Sequence, residues 1–211
     1  MMTSNISLLP GLAATTAQLA AEFALIPAER KPILQELADF VRARQQAHEK
    51  VLLNFICTHN SRRSHVAQIW AQTAAYYYGV PDVFCFSGGT EVSAFNPRAV
   101  RAMQDVGFDI RLHEPGDNPV YTVRFSLRTP ALDSFSKTYD DAVNPKADFA
   151  AIMTCAHADE NCPLVRGAAV RIALNYDDPK AFDGTPEEVT GYQTRVHQIG
   201  REMLYAFSLL A

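Results

Sequence analysis

Apolar and polar positions fall into two kinds of run along this chain. Short, nearly continuous apolar runs bounded by turn residues predict buried strands at 51–56, 83–87, 149–154 and 168–174. Amphipathic runs between and after them predict helices at about 63–78, 98–106 and 185–208. Gly79 and Pro81 end the first of these, and Asn96-Pro97 opens the second before Gly107 closes it. Thr185 as N-cap, Pro186 in the first position and Glu188 three residues on predict a capping box for the third. Strands that alternate with helices predict an α/β fold with a doubly wound, mostly parallel four-stranded sheet.

Two regions lie outside that alternation. Residues 1–13 read as irregular, 15–23 as a short helix, and 27–46 as a clearer one. The latter has Pro27 or Pro32 in its first turn and a stripe of Ile33, Leu34, Leu37, Phe40 and Val41. Residues 1–48 therefore form an N-terminal helical extension, and 49–211 a catalytic domain. The extension reads either as a flap packed on the domain or as a dimer or partner surface. The stretch at about 114–147 is punctuated by Pro115, Gly116, Pro119, Pro130 and Pro145. Within it, 121–125 alternates like a strand and 132–139 can pair with it, which predicts an inserted hairpin or lid.

Composition removes several classes. At 211 residues, 48% hydrophobic, the chain suits one domain with a sizeable core. A net charge of −4 and a pI near 5.8 point away from a nucleic-acid partner. No apolar run reaches the ~20 residues needed to span a membrane, and the N-terminus lacks the pattern of a signal peptide. Cys57, Cys85, Cys155 and Cys162 are too few and scattered for a secreted disulfide scaffold, so working thiols in a cytoplasmic protein are expected.

The chemistry concentrates where the first strand gives way to the first helix, at Cys57-Thr58-His59-Asn60-Ser61-Arg62-Arg63-Ser64. A loop entering a helix N-terminus turns backbone N–H groups inward and adds the positive end of the helix dipole. A tetrahedral oxyanion such as phosphate or arsenate fits there, and Arg63 can close over two of its oxygens. The same field favours the thiolate of Cys57, which is the nucleophilic form, and the Ser64 hydroxyl can hold it. A lone C-x5-R is a weak pattern; one that follows a buried strand and opens a helix is much stronger.

Cys155 and Cys162 form a second constellation at the end of the 149–154 strand. Their x6 spacing is too wide for the usual zinc pairs, although His157 lies between them. They read as a metal site lacking an evident fourth ligand, as inert core cysteines, or as a thiol relay with Cys57. Cys85, inside a strand, reads as core. Asp178-Pro179 follows the last strand, either as a common turn pair or as an acid near the anion pocket.

The loop from Cys57 to Ser64 resembles that of the low-molecular-weight protein tyrosine phosphatases and their relatives, the thioredoxin-coupled arsenate reductases. Those loops usually read C-x-G-N-x-C-R-S; Asn60, Arg63 and Ser64 match, while His59 replaces the Gly and Arg62 the second Cys. Cys155-x6-Cys162-Pro163 and the stretches 87–91 and 95–99 resemble the arsenate reductases in particular, and the resemblance covers about 50–112 and 147–208. It implies a flavodoxin-like, phosphotyrosine phosphatase I-like fold with no cofactor or metal. It also implies that Cys57 attacks arsenate, Cys155 attacks Cys57 to release arsenite, and Cys162 attacks Cys155. Thioredoxin would then reduce the Cys155–Cys162 disulfide. Asp178 matches the acid of both branches. Lys180, where the phosphatases usually carry an aromatic residue, departs from their pattern. Hydrolysis of a phosphate ester through Cys57, Arg63 and Asp178 is the alternative. An oxyanion-binding or redox-sensing module is a third reading.

Overall fold

The structure is a computed structural model that describes residues 7–161 and 164–211. The chain begins with two helices, α1 (Pro10–Ala21) and α2 (Lys31–Gln46). The core then runs β1 (Val51–Cys57), α3 (Arg63–Tyr77), β2 (Val83–Gly89) and α4 (Pro97–Asp105). A three-stranded excursion follows: β3 (Asp109–Glu114), β4 (Val120–Arg124) and β5 (Leu132–Ser134). The chain returns through β6 (Phe149–Met153), the short α5 (Ala156–Asn161), β7 (Ala168–Ala173) and the long α6 (Glu188–Ser208).

Four parallel strands form the central sheet in the order β2-β1-β6-β7. Alternate side chains of its two inner strands enter different apolar clusters. Leu53, Phe55, Ala150 and Ile152 pack under α2, α3 and α6, while Ile56, Ala151 and Met153 meet Ala158 of α5 on the other face. Burial on both faces is why β1 and β6 read as continuous apolar runs rather than alternating ones.

The extension is part of the main core. Leu12, Leu19, Leu34 and Leu37 are fully buried in the same cluster as the sheet and α6. Its first helix starts at Pro10, within the stretch expected to be irregular, because Leu12, Thr16 and Leu19 line up one face. The second begins at Lys31 after a 3-10 turn, Ala28–Arg30, so only Pro32 sits in its first turn.

The 114–147 region pairs as expected, β4 antiparallel to β5, but β4 also pairs with β3. The latter escaped the apolar pattern because most of its side chains are polar and exposed. The expected capping box is absent. Thr185 gives its hydroxyl to Phe182 O (2.8 Å), the Glu188 carboxylate accepts from Gly184 N–H (2.6 Å), and α6 starts only at Glu188. Pro186 and Glu187, which would have opened the helix, lie in a turn instead.

Candidate active site

Cys57 ends β1 and Arg63 begins α3, so the loop between them lies at the carboxyl edge of the parallel sheet. Its carbonyls are turned outward and braced. Cys57 O accepts from Thr90 N–H (3.2 Å), Thr58 O from Glu91 N–H (2.8 Å) and Ser61 O from Asn96 N–H (2.8 Å). His59 O accepts from both Ser93 Oγ (3.1 Å) and Ser136 Oγ (2.9 Å). Among the described residues, no backbone N–H from Thr58 to Ser64 has an acceptor in the chain, and α3 carries no side-chain cap. Unpaired N–H groups at a helix N-terminus are an anion cradle.

The side chains fix this loop. Asn60 adopts φ +43°, a left-handed conformation that Asn tolerates better than most residues. Its amide Nδ2 donates to Ser64 Oγ (2.9 Å), and its Oδ1 accepts from the main-chain N–H of Lys137 (3.0 Å). Because Ser64 Oγ accepts from Asn60, its own proton is free to point at Cys57 Sγ, 3.1 Å away. A hydroxyl aimed at the sulfur stabilises the thiolate. Cys57 and Ser64 are both buried.

Arg63 is held toward the last loop of the sheet. One terminal nitrogen donates to Tyr176 O (3.0 Å) and the other to Asp178 Oδ2 (2.7 Å), while its Nε is buried with no acceptor. The fold thus brings Asp178 to Arg63 across more than a hundred residues. Its second oxygen caps the 3-10 turn through Lys180 N–H (3.0 Å). Arg62 donates to Tyr192 Oη (2.8 Å) and Asp183 (3.5 Å), and its Nε lies 3.9 Å from the other oxygen of Asp178. The His59 ring is exposed and reaches Glu91 (3.3 Å). Ser61 Oγ donates to Ala94 O (2.7 Å). Asn60 and Ser61 therefore offer the loop's interior their main-chain N–H groups, and their side chains build its frame.

Cys155 follows β6 and is fully buried. It shares the apolar cluster of Ile56, Cys57 and Met153. Its Sγ lies 3.4 Å from Thr58 Oγ1, which is itself 3.2 Å from His157 Nδ1. Cys162 lies outside the described residues. Cys85 faces the main core, where burial holds its thiol far above the usual range and leaves it inert. Among the described residues, no three His, Cys, Asp or Glu side chains gather to hold a metal ion, and no helix is long and apolar enough to cross a membrane.

Several contributors carried no local signal in the sequence. Ser136 and Lys137 come from the inserted region and brace the loop from outside. Gly89 lies so close that a Cβ there would stand 2.6 Å from Thr58 O and 2.7 Å from Asn60 N; its cues were its place just after an apolar run and its segment's likeness to the arsenate reductases.

The Cys-x5-Arg loop thus lies at the carboxyl edge of a four-stranded parallel sheet. No protein-family model matches the chain. The arsenate reductase of Halalkalibacterium halodurans is 31% identical over 155 residues, 73% of this chain and 93% of that one. The arsenate reductase of Bacillus subtilis is 30% identical over 156 residues, 74% of this chain and 94% of its own. The chain belongs to the arsenate reductase family. Among solved structures, a mutant of YwlE from Bacillus subtilis aligns with a TM-score of 0.52 at 15% identity, over 76% of this chain and 99% of that one. That likeness is one of fold.

Proposed function

We propose that this chain reduces arsenate to arsenite, with residues 49–211 carrying the chemistry and 1–48 supporting them. Cys57 attacks arsenic within the cradle of main-chain N–H groups; the S–As bond forms as one As–O bond breaks, that oxygen leaves as water with a proton supplied by Asp178, and Arg63 holds the remaining oxygens. Cys155 then attacks Cys57 Sγ. The S–S bond forms as the S–As bond breaks, and the electron pair of that bond stays on arsenic, which leaves as arsenite. Cys162 exchanges into the disulfide, and thioredoxin dithiol reduces the resulting Cys155–Cys162 bridge. A relay of this kind works in a reducing compartment, the basis for expecting a cytoplasmic protein.

The observation that carries this reading is the second buried sulfur at the anion loop, with Cys155 Sγ 3.4 Å from Thr58 Oγ1. Hydrolysis of a phosphate ester has no use for it. The names of the two relatives point the same way. One observation keeps the phosphatase alternative in view: Arg63 holds the Asp178 carboxylate beside the loop at 2.7 Å, from where, once protonated and released from the guanidinium, it can serve acid-assisted ester cleavage.

The test is paired turnover, arsenate with thioredoxin against an aryl phosphate without it. Cys57→Ser should abolish both while the fold persists. Cys155→Ser and Cys162→Ser should each stop multiple-turnover arsenate reduction, the first by trapping the arsenate adduct on Cys57 and the second at a Cys57–Cys155 disulfide. Brisk ester hydrolysis with no arsenite would replace this reading by the phosphatase.

A further inference from the structure

The attack of Cys155 on Cys57 requires a thiolate, yet Cys155 is 0% exposed. Its proton must leave a site that solvent does not reach. Two side chains mark the way out. Thr58 Oγ1 lies 3.4 Å from Cys155 Sγ and 3.2 Å from His157 Nδ1, and His157 is exposed to solvent.

The donor directions are compatible. A hydroxyl can accept one proton while it gives its own. Cys155 S–H donates to Thr58 Oγ1, and Thr58 O–H donates to His157 Nδ1, provided that the neutral ring carries its proton on Nε2. The thiolate left behind keeps a main-chain donor, Ala158 N–H, 3.4 Å from Sγ. The neighbouring carboxylate of Asp159 is engaged elsewhere, with Asn175 Nδ2 (3.0 Å) and the Arg171 guanidinium. Glu160 is exposed on the same short helix. Of these groups, His157 has the ring nitrogen in contact with the hydroxyl that touches the sulfur.

We propose that His157 accepts the proton of the resolving cysteine through the Thr58 hydroxyl, and so sets the rate at which Cys155 attacks. One proton moves from Cys155 Sγ to Thr58 Oγ1 as another moves from Thr58 Oγ1 to His157 Nδ1. The ring becomes a cation and returns its proton to water. No electrons move in this step; the redox exchange follows when the thiolate attacks Cys57 Sγ. His157 touches Thr58 and not the reacting sulfur, so it is a positioning residue for the reaction. The proposal rests on the arsenate-reduction reading.

The test is single-turnover arsenite release by the reduced protein mixed with excess arsenate, followed from about pH 6 to 9.5. His157→Gln should slow release by about 100-fold near neutral pH, the scale of a lost proton acceptor. The deficit should close as the solution becomes alkaline and hydroxide takes the proton. Thr58→Val should behave likewise, and Thr58→Ser, which keeps the hydroxyl, should recover most of the rate. A wild-type rate and pH profile in His157→Gln would overturn the proposal, as would an equal loss at every pH, which marks a structural role. Cys155→Ser separates the two levels. If it abolishes arsenite release, a normal His157→Gln refutes the relay alone; if it does not, the assignment of Cys155 as the resolving thiol fails first.

Discussion

At the scale of single residues, two adjacent arginines with the same charge have different work. The Arg63 fork is seated between Tyr176 O and Asp178. A lysine in its place would offer a point charge instead of a planar pair of donors. Losing one charge-assisted hydrogen bond costs about 1.5–3 kcal/mol, so Arg63→Lys should lower kcat/KM for arsenate by roughly 10- to 150-fold. Arg62→Ala breaks contacts with Tyr192 and Asp183 and a longer one, 3.9 Å, with Asp178, and should cost less than about 5-fold; steady-state kinetics on both variants would rank them. Lys137 is a second case. Burial lowers its ammonium from the usual 10.5 to about 8. Between those values the unfolded chain binds more protons than the folded one, so stability should rise with pH from about 8 to 10.5. Below 8 the charged, buried lysine is a constant cost. Lys137→Met should therefore be more stable at pH 7, by on the order of 2–3 kcal/mol, with the gap narrowing above pH 8. Thermal melts of both proteins at pH 7 and pH 10 would read this, and a gap independent of pH would refute it.

At the scale of elements, the loop's shape depends on how closely β2 passes beneath it. Gly89 pairs in register with Cys57, donates its N–H to Lys137 O (2.8 Å) and accepts from Tyr139 N–H (2.9 Å). The inserted region is thus stitched to the strand that supports the loop. A methyl at this position would press on Thr58 O and Asn60 N and force the cradle to shift. Displacing a catalytic geometry by about 1 Å costs on the order of 100-fold in rate, whereas overpacking costs about 1–3 kcal/mol of stability. Gly89→Ala should therefore stay folded and lose about 100-fold in arsenate turnover, measured beside its unfolding transition. Activity near that of the wild type would mean that the loop yields without cost.

At the scale of the whole molecule, the N-terminal region holds the loop after β7 as well as covering the core. Arg30 makes a two-pronged pair with Glu202 of α6, at 2.6 and 2.7 Å, and Glu202 is 1% exposed. The same guanidinium donates to Asn175 O (3.1 Å) and lies over the Tyr176 ring at 4.8 Å. Tyr176 O in turn receives Arg63. A chain of contacts so joins the extension to the anion loop. Removing one partner of a buried pair leaves the other charge unsatisfied and costs about 3–5 kcal/mol. Arg30→Met should lower the unfolding midpoint by on the order of 10 °C, and Glu202→Gln added to it should recover part of the loss, as a double-mutant cycle would show.

The sequence by itself determined the elements with a short-range cause. The strand–loop–helix around Cys57, the parallel order of the core and the core position of Cys85 follow from apolar period, turn residues and loop spacing, which act within a few residues. It also determined the composition of the anion loop, because main-chain N–H groups at a helix start need no distant partner. Tertiary structure alone decided which side chains meet. Asp178 reaches Arg63, Cys155 reaches Thr58, and Ser136 and Lys137 reach the loop only because separate crossings bring those segments to one edge of the sheet. It also decided that Arg62 is drawn to Tyr192 and Asp183, acceptors far along the chain, whereas the late start of α6 at Glu188 came from a competing local turn. Strand β3 stayed hidden for the complementary reason: its pairing is made by backbone groups, and its polar side chains carry no record of it.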